Sequence, residues 1–239
     1  MAVRKKSLYK TLDSLPLFRN LYLNMQAQNI GIVDNLLVQM EAELWREYMD
    51  TEKTPFPSIM VVSALSEMWI FALYELLRTW KQMVNELIKY HEQIEIIRND
   101  SEFEEKKKQI STAKKKVERT SISENMEDVF YNQFFRKVES DSSYAIFLQE
   151  TLGIITPTFQ QISDLRMTLA KHEIPGTNKG RTPGVRALAP GYARIDTLRM
   201  TGALCWLIEK KDGSSEIISR AGLVESIQKL RIPRHGKTT

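Results

Sequence analysis

The sequence predicts a mainly α protein: an up-down helical bundle with a long central helix, a projecting helical hairpin and a small C-terminal β-hairpin. Three observations carry this. From Ser58 to Leu152 there is neither glycine nor proline. Across that stretch apolar residues recur three and four apart, the period of a helix with a buried face. Of the 10 glycines, all but Gly31 lie at Gly153 or beyond, so the turn-forming residues gather near the C-terminus. The organisation that follows is a helical bundle over 1–174, with a helical hairpin at about 81–120. A second part, 175–239, holds a basic loop, a small β-hairpin and a short helix packed on the bundle.

The first helix is predicted from about Ile32 to Asp50, where Leu36, Leu37, Met40, Leu44 and Tyr48 recur at helical spacing. Pro55-Phe56-Pro57 stops it, because proline lacks an N–H and restricts the residue before it. Ser58 can cap the next helix, Ile59 to Arg98, which at 1.5 Å per residue spans roughly 60 Å. Its first half is apolar on almost every face, as in a central core helix or a membrane span. Glu67 and Glu75 interrupt it, and an acidic side chain at a bilayer centre costs about 3 kcal/mol, so no membrane is expected. Ser101-x-x-Glu104 has the form of a capping box. The charged helix that follows, about 102–120, carries Phe103, Ile110 and Val117 seven apart. That seam suits one neighbour, and Leu87, Ile94 and Ile97 supply it in an antiparallel hairpin. A helix from Ser123 carries Phe134, Phe135 and Val138 up to a break at Asp141-Ser142-Ser143. A shorter helix, Tyr144 to Thr151, is followed by Thr156-Pro157, a cap with proline at the first helical position, and a last bundle helix to Glu173. Further on, Ala203–Glu209 and Ser215–Ser219 read as strands around the turn Lys211-Asp212-Gly213-Ser214. Gly222 to Leu230 closes the chain as a short helix.

With 239 residues the chain can bury a full core. Its single cysteine, Cys205, excludes a disulfide framework and a four-cysteine zinc site. Between Leu204 and Trp206 it reads as a buried, inert thiol. The N-terminus has no apolar run of the secretory kind, and a reducing, cytoplasmic setting is expected. The net charge of +4 is unevenly spread: residues 171–239 carry 13 basic and 6 acidic side chains, against 21 and 24 in the rest. Such a basic excess suits a polyanionic partner. The three histidines, His91, His172 and His235, lack metal-ligand spacing, and no metal or other cofactor is expected. Gly176-Thr-Asn-Lys-Gly180 lacks the spacing of a phosphate loop and follows a helix rather than a strand.

One constellation remains, Asp164-Leu-Arg166-Met-Thr-Leu-Ala-Lys-His172-Glu173. On a helix, Phe159, Ile162, Leu165 and Leu169 form the apolar arc. Arg166 falls inside it and His172 at its opposite edge. A charge within a core stripe needs a partner or a task. Two readings are open. Arg166 can pair with Glu67 or Glu75 of the apolar helix, with His172 placed by the helix macrodipole. Alternatively Arg166 and His172, about 120° apart around the axis, converge on a ligand across a cleft or with a second subunit.

Arg166-x5-His172 near the end of a bundle helix resembles the signature of the HEPN superfamily (higher eukaryotes and prokaryotes nucleotide-binding), a resemblance that covers about 30–175. Met167 stands where that family often has a polar residue. The resemblance implies an all-α bundle, often dimeric, and a metal-independent endoribonuclease of the kind found in toxin–antitoxin and phage-defence systems. It implies that Arg166 holds the scissile phosphate and His172 moves a proton. Lys171, Lys179, Arg181 and Arg186 would bind the substrate backbone. The expected partners are RNA, a second copy in a homodimer, and a protein antitoxin or regulator. The alternative is a non-catalytic helical module of the same fold that binds nucleic acid or protein.

Overall fold

The structure, a computed structural model, describes residues 7–98, 126–170, 193–209, 214–233 and 235. Its elements in chain order are α1 (Leu8–Asp13), α2 (Leu21–Thr51), α3 (Phe56–Arg98), α4 (Met126–Ser140), α5 (Ser142–Ala170), β1 (Arg194–Ile195), β2 (Leu204–Glu209), β3 (Ser215–Ser219) and α6 (Arg220–Gln228). The protein is mainly helical, with a small antiparallel sheet of order β1-β2-β3 toward its C-terminal end. Two compact units are formed. One holds Met1–Thr11, Ala27–Leu77 and Ile155–Leu230; the other holds Leu12–Gln26, Arg78–Ile154 and Arg231–Thr239.

α2 begins eleven residues before the predicted Ile32. The Asn20 carboxamide accepts from the Leu23 N–H at 3.2 Å and caps the helix. Gly31 does not break it, because the helix approaches Tyr9 so closely there that a Cβ would lie 3.0 Å from the Tyr9 Cβ. The buried seam is Ala27, Ile30, Asp34, Leu37, Glu41 and Leu44, alternately three and four apart; Leu36, predicted on that face, is exposed.

α3 begins at Phe56, so Ser58 is not its cap; its hydroxyl donates to Glu47 Oε2 at 2.6 Å. Pro57 sits in the first turn, where a missing N–H costs nothing. The predicted all-round burial is corrected too. Ile59, Val62, Trp69, Ile70 and Leu73 are buried, whereas Phe56, Met60, Val61 and Met68 face solvent. Trp69 donates its indole N–H to the Ile30 carbonyl at 3.1 Å, tying α3 to α2. In the second unit Trp80 donates to the Pro16 carbonyl at 2.8 Å. By length and composition, Phe56–Ile96 could cross a membrane, a property that a core helix shares.

The charged helix predicted at 102–120, its capping box and the Ser123 start lie outside the described residues. Asp141 does separate two helices. The break predicted between Thr151 and Pro157 does not exist: α5 is continuous, with Pro157 inside it. Leu148, Thr151, Ile155, Thr158, Ile162, Leu165 and Leu169 are buried at unbroken helical spacing. Gly153, whose carbonyl the proline leaves unbonded, is exposed, so water can satisfy it. A packed face therefore overrides a local breaker.

The sheet has one strand more than predicted. β1 pairs with β2, Arg194 opposite Cys205, and β2 pairs with β3, Trp206 opposite Ile218. Leu204, Trp206 and Ile208 point into the core, and Cys205 between them is half-buried rather than buried. Ser219 caps α6, accepting from the Gly222 N–H.

Candidate functional site

Arg166 lies on α5 and is half-buried. Its guanidinium sits 5.1 Å from the ring centre of Tyr74 and 5.8 Å from that of Phe71, both on α3. Its Nη1 donates to the sulfur of Met167 at 3.3 Å. Tyr74 in turn stacks on Phe159 of α5, ring centres 5.5 Å apart and planes 16° apart. The positions follow from helix geometry. Phe71 and Tyr74 are three apart on one face of α3, and Phe159 and Arg166 are seven apart, two turns, on one face of α5. Arg166 Nε is buried and has no hydrogen-bond partner among the described residues. Ring faces attract a cation but satisfy no N–H in the plane of the guanidinium. A buried donor of this kind, unmatched by any acceptor, suits an incoming oxyanion.

The acids considered as partners of Arg166 are Glu67 and Glu75. Glu67 accepts from the Ser63 hydroxyl at 3.0 Å, and Glu75 is exposed. His172, Lys171, Lys179, Arg181 and Arg186 lie outside the described residues.

The buried arginine–carboxylate cluster that the sequence reading sought at Arg166 occurs instead at Arg220, at the start of α6. Arg220 donates to both oxygens of Glu41, at 2.7 and 2.5 Å, and to Asp34, and lies 5.6 Å from the Trp69 ring. All three charged side chains are buried. Burial raises the Asp34 carboxyl above its ordinary value, against the pull of Arg220; the neighbouring Glu41 charge raises it further. Burial opposes the charge on Arg220, but the hydrogen bonds and charges of Glu41 and Asp34 outweigh it and hold the guanidinium above its usual range. The legible signal was the seven-residue spacing of Asp34 and Glu41 within an apolar seam. Nothing in the sequence pointed to Arg220 as their partner.

A serine, a histidine and an aspartate also meet in the second unit. Asp141 Oδ1 accepts from the Ser143 N–H at 3.0 Å and from its hydroxyl at 2.6 Å, which caps α5. His235 Nε2 lies 3.1 Å from Asp141 Oδ2 and 3.2 Å from Ser143 Oγ. Nucleophilic catalysis needs the carboxylate on one ring nitrogen and the hydroxyl on the other. Here both share Nε2, and the serine proton already points to the aspartate. The cluster is a helix cap that anchors His235 beside Tyr144 and Phe147. The Ser143 hydroxyl bond holds the Asp141 carboxyl below its usual range, with His235 adding to it. Burial pushes the Tyr144 phenol up to about 12.

Burial also raises the Cys205 thiol, with Asp196 adding to it, which disfavours the thiolate that a nucleophile needs. Among the described residues no group of His, Cys, Asp and Glu could hold a metal ion. No protein family, curated protein or solved structure matches this chain.

Proposed function

We propose that the protein is a HEPN-like, metal-independent endoribonuclease, of the toxin or phage-defence type, with Arg166 as its phosphate-binding residue. The observation that carries this reading is the state of Arg166: half-buried, laid on two aromatic rings, with a buried Nε–H that no acceptor among the described residues meets. A guanidinium so placed matches the oxygens of a phosphodiester. The basic excess of residues 171–239, with Lys171, Lys179, Arg181 and Arg186, draws the polyanion in. His172 takes the role of proton carrier, for which an imidazole titrating near neutrality is suited. In the reaction the ribose 2′-oxygen loses its proton and bonds to the adjacent phosphorus. The bond from phosphorus to the 5′-oxygen breaks and that oxygen gains a proton, leaving a 2′,3′-cyclic phosphate and a 5′-hydroxyl.

Arg166 and His172 are six residues apart and diverge around a regular helix. A second copy of the chain completes the site in this reading, and the exposed Phe56, Met60, Val61 and Met68 of α3 offer an apolar face for it. A protein antitoxin or regulator is the further partner expected of a toxin.

The contact of Arg166 with Met167 and two rings also favours a second reading, a binding module without catalysis, since the same packing can hold an arginine for recognition alone. One experiment separates the two: incubation of RNA with the purified protein in EDTA, beside Arg166→Ala and His172→Ala. Cyclic-phosphate ends in the wild type, lost in both variants, are the expected result. RNA binding without cleavage, weakened by Arg166→Ala alone, would select the module. RNA neither bound nor cut would reject both.

A further inference from the structure

We propose that Met167 is a redox-sensitive modification site: oxidation of its thioether to the sulfoxide by a hydroperoxide closes the anion site of Arg166. The inference rests on the reading of Arg166 as the phosphate-binding residue and adds a regulation of that same site.

Residues one apart on a helix diverge by about 100°, so the helix does not impose a contact between Arg166 and Met167. Both side chains are long enough to lean together, and Arg166 Nη1 donates to the sulfur at 3.3 Å. A thioether is a weak acceptor, and a phosphate oxygen, which makes a charge-assisted bond, displaces it readily. Met167 is 38% exposed, which opens it to a small oxidant in solvent. Met25, Met49, Met60, Met68 and Met200 are more exposed and oxidise as well. The contact with a guanidinium is what gives oxidation at Met167 a consequence for Arg166. With hydrogen peroxide, the sulfur attacks one oxygen, and an S–O bond forms as the O–O bond breaks. The sulfur gives up two electrons. The peroxide is reduced to water, its departing hydroxyl taking the proton from the transferred oxygen. The product is a polar group with a strong acceptor oxygen, tethered one residue from the cation. That oxygen holds the Arg166 N–H in place of the sulfur, and an incoming phosphate has to break a hydrogen bond to a charged group before it can bind. Methionine sulfoxide reductases, one for each epimer, make the change reversible.

The test is binding, by fluorescence anisotropy, of a 2′-O-methyl oligonucleotide, an uncleavable polyanion, before and after hydrogen peroxide. Dithiothreitol is added after the peroxide to reverse any reversible oxidation of Cys205. Wild type, Met167→Leu, Met167→Gln and Arg166→Ala are compared, and peptide mass spectrometry reports the sulfoxide at Met167. Peroxide is expected to weaken wild-type binding about tenfold, the effect of one hydrogen bond to a charged group, and the two sulfoxide reductases are expected to restore it. Each protein is judged by the ratio of its own affinities before and after treatment. Met167→Leu is expected to keep its affinity, although its other methionines oxidise as in the wild type. Met167→Gln offers an amide oxygen in place of the sulfoxide oxygen. It is expected to bind weakly before treatment and no more weakly after it. Equal losses in wild type and Met167→Leu overturn the switch, because the damage then lies elsewhere. A Met167 that peroxide does not touch, or a wild type that binds unchanged with Met167 oxidised, also overturns it. So does Met167→Gln that binds as tightly as untreated wild type. In each of these cases a weakened untreated Arg166→Ala still supports the phosphate reading. An untreated Arg166→Ala that binds as well as untreated wild type overturns that reading itself, and the switch with it.

Discussion

Arg166 and Arg220 show how differently one residue type is used in this fold. Arg220 is sealed from water and answered by two carboxylates, so its role is structural. Arg166 is half-open and answered by rings and a thioether. Truncating Arg220 would leave Asp34 and Glu41 buried without a countercharge. Arg220→Met is expected to cost about 3–5 kcal/mol in denaturant unfolding. The same cluster makes stability depend on pH. Because burial raises the Asp34 carboxyl in the folded state, that state holds the proton more tightly than the unfolded chain does. The resulting stabilisation is complete below the ordinary carboxylate value and is lost as the pH rises through the raised one. Asp34→Asn cannot titrate there. Measured from about pH 4 to pH 8, wild-type stability should fall relative to the variant as pH rises. Parallel curves would show that Asp34 titrates alike in both states.

Two helical glycines make opposite predictions at the level of the element. Gly153 in α5 is exposed, and a Cβ there would meet nothing within 4 Å. Gly153→Ala should therefore stabilise by about 0.5–1 kcal/mol through helix propensity and unfolded-state entropy. Gly31 in α2 has the Tyr9 Cβ 3.0 Å from where its own would stand. Gly31→Ala must push α1 and α2 apart, and the propensity gain is expected to be lost to strain. Thermal unfolding of the two variants gives the signs directly. A rise in both midpoints would mean that the Tyr9 contact yields freely. The same balance explains which element boundaries were legible. A long stretch of period 3–4 announced α3. The start predicted at about Ile32 and the restart predicted at Thr156-Pro157 stand beside Gly31 and Pro157, residues whose breaking tendency is local. Whether a helix continues through them depends on what its buried face meets.

At the scale of the whole molecule, the proposed site needs two copies, and a patch of α3 is apolar yet exposed. If that patch joins them, Met68→Glu, which puts a charge at a position 67% exposed, should leave the fold intact. It should shift the protein from dimer to monomer in sedimentation equilibrium, and cleavage should fall with it. A monomeric wild type that cleaves fully would show that one chain holds a complete site.

The sequence by itself determined the helical class, the long α3, the stop at Asp141 and the C-terminal strands. Each is written in a period or a turn signal a few residues long. It also singled out Arg166 as a charge within an apolar arc. Only the tertiary structure decided what surrounds that charge: the Tyr74 and Phe71 rings and the Met167 sulfur. It alone joined Arg220 to Glu41 and Asp34 across 179 and 186 residues of chain. Periodicity is a property of neighbouring residues and survives in the bare sequence. The pairing of distant side chains depends on how helices lie against one another, and no local pattern records that.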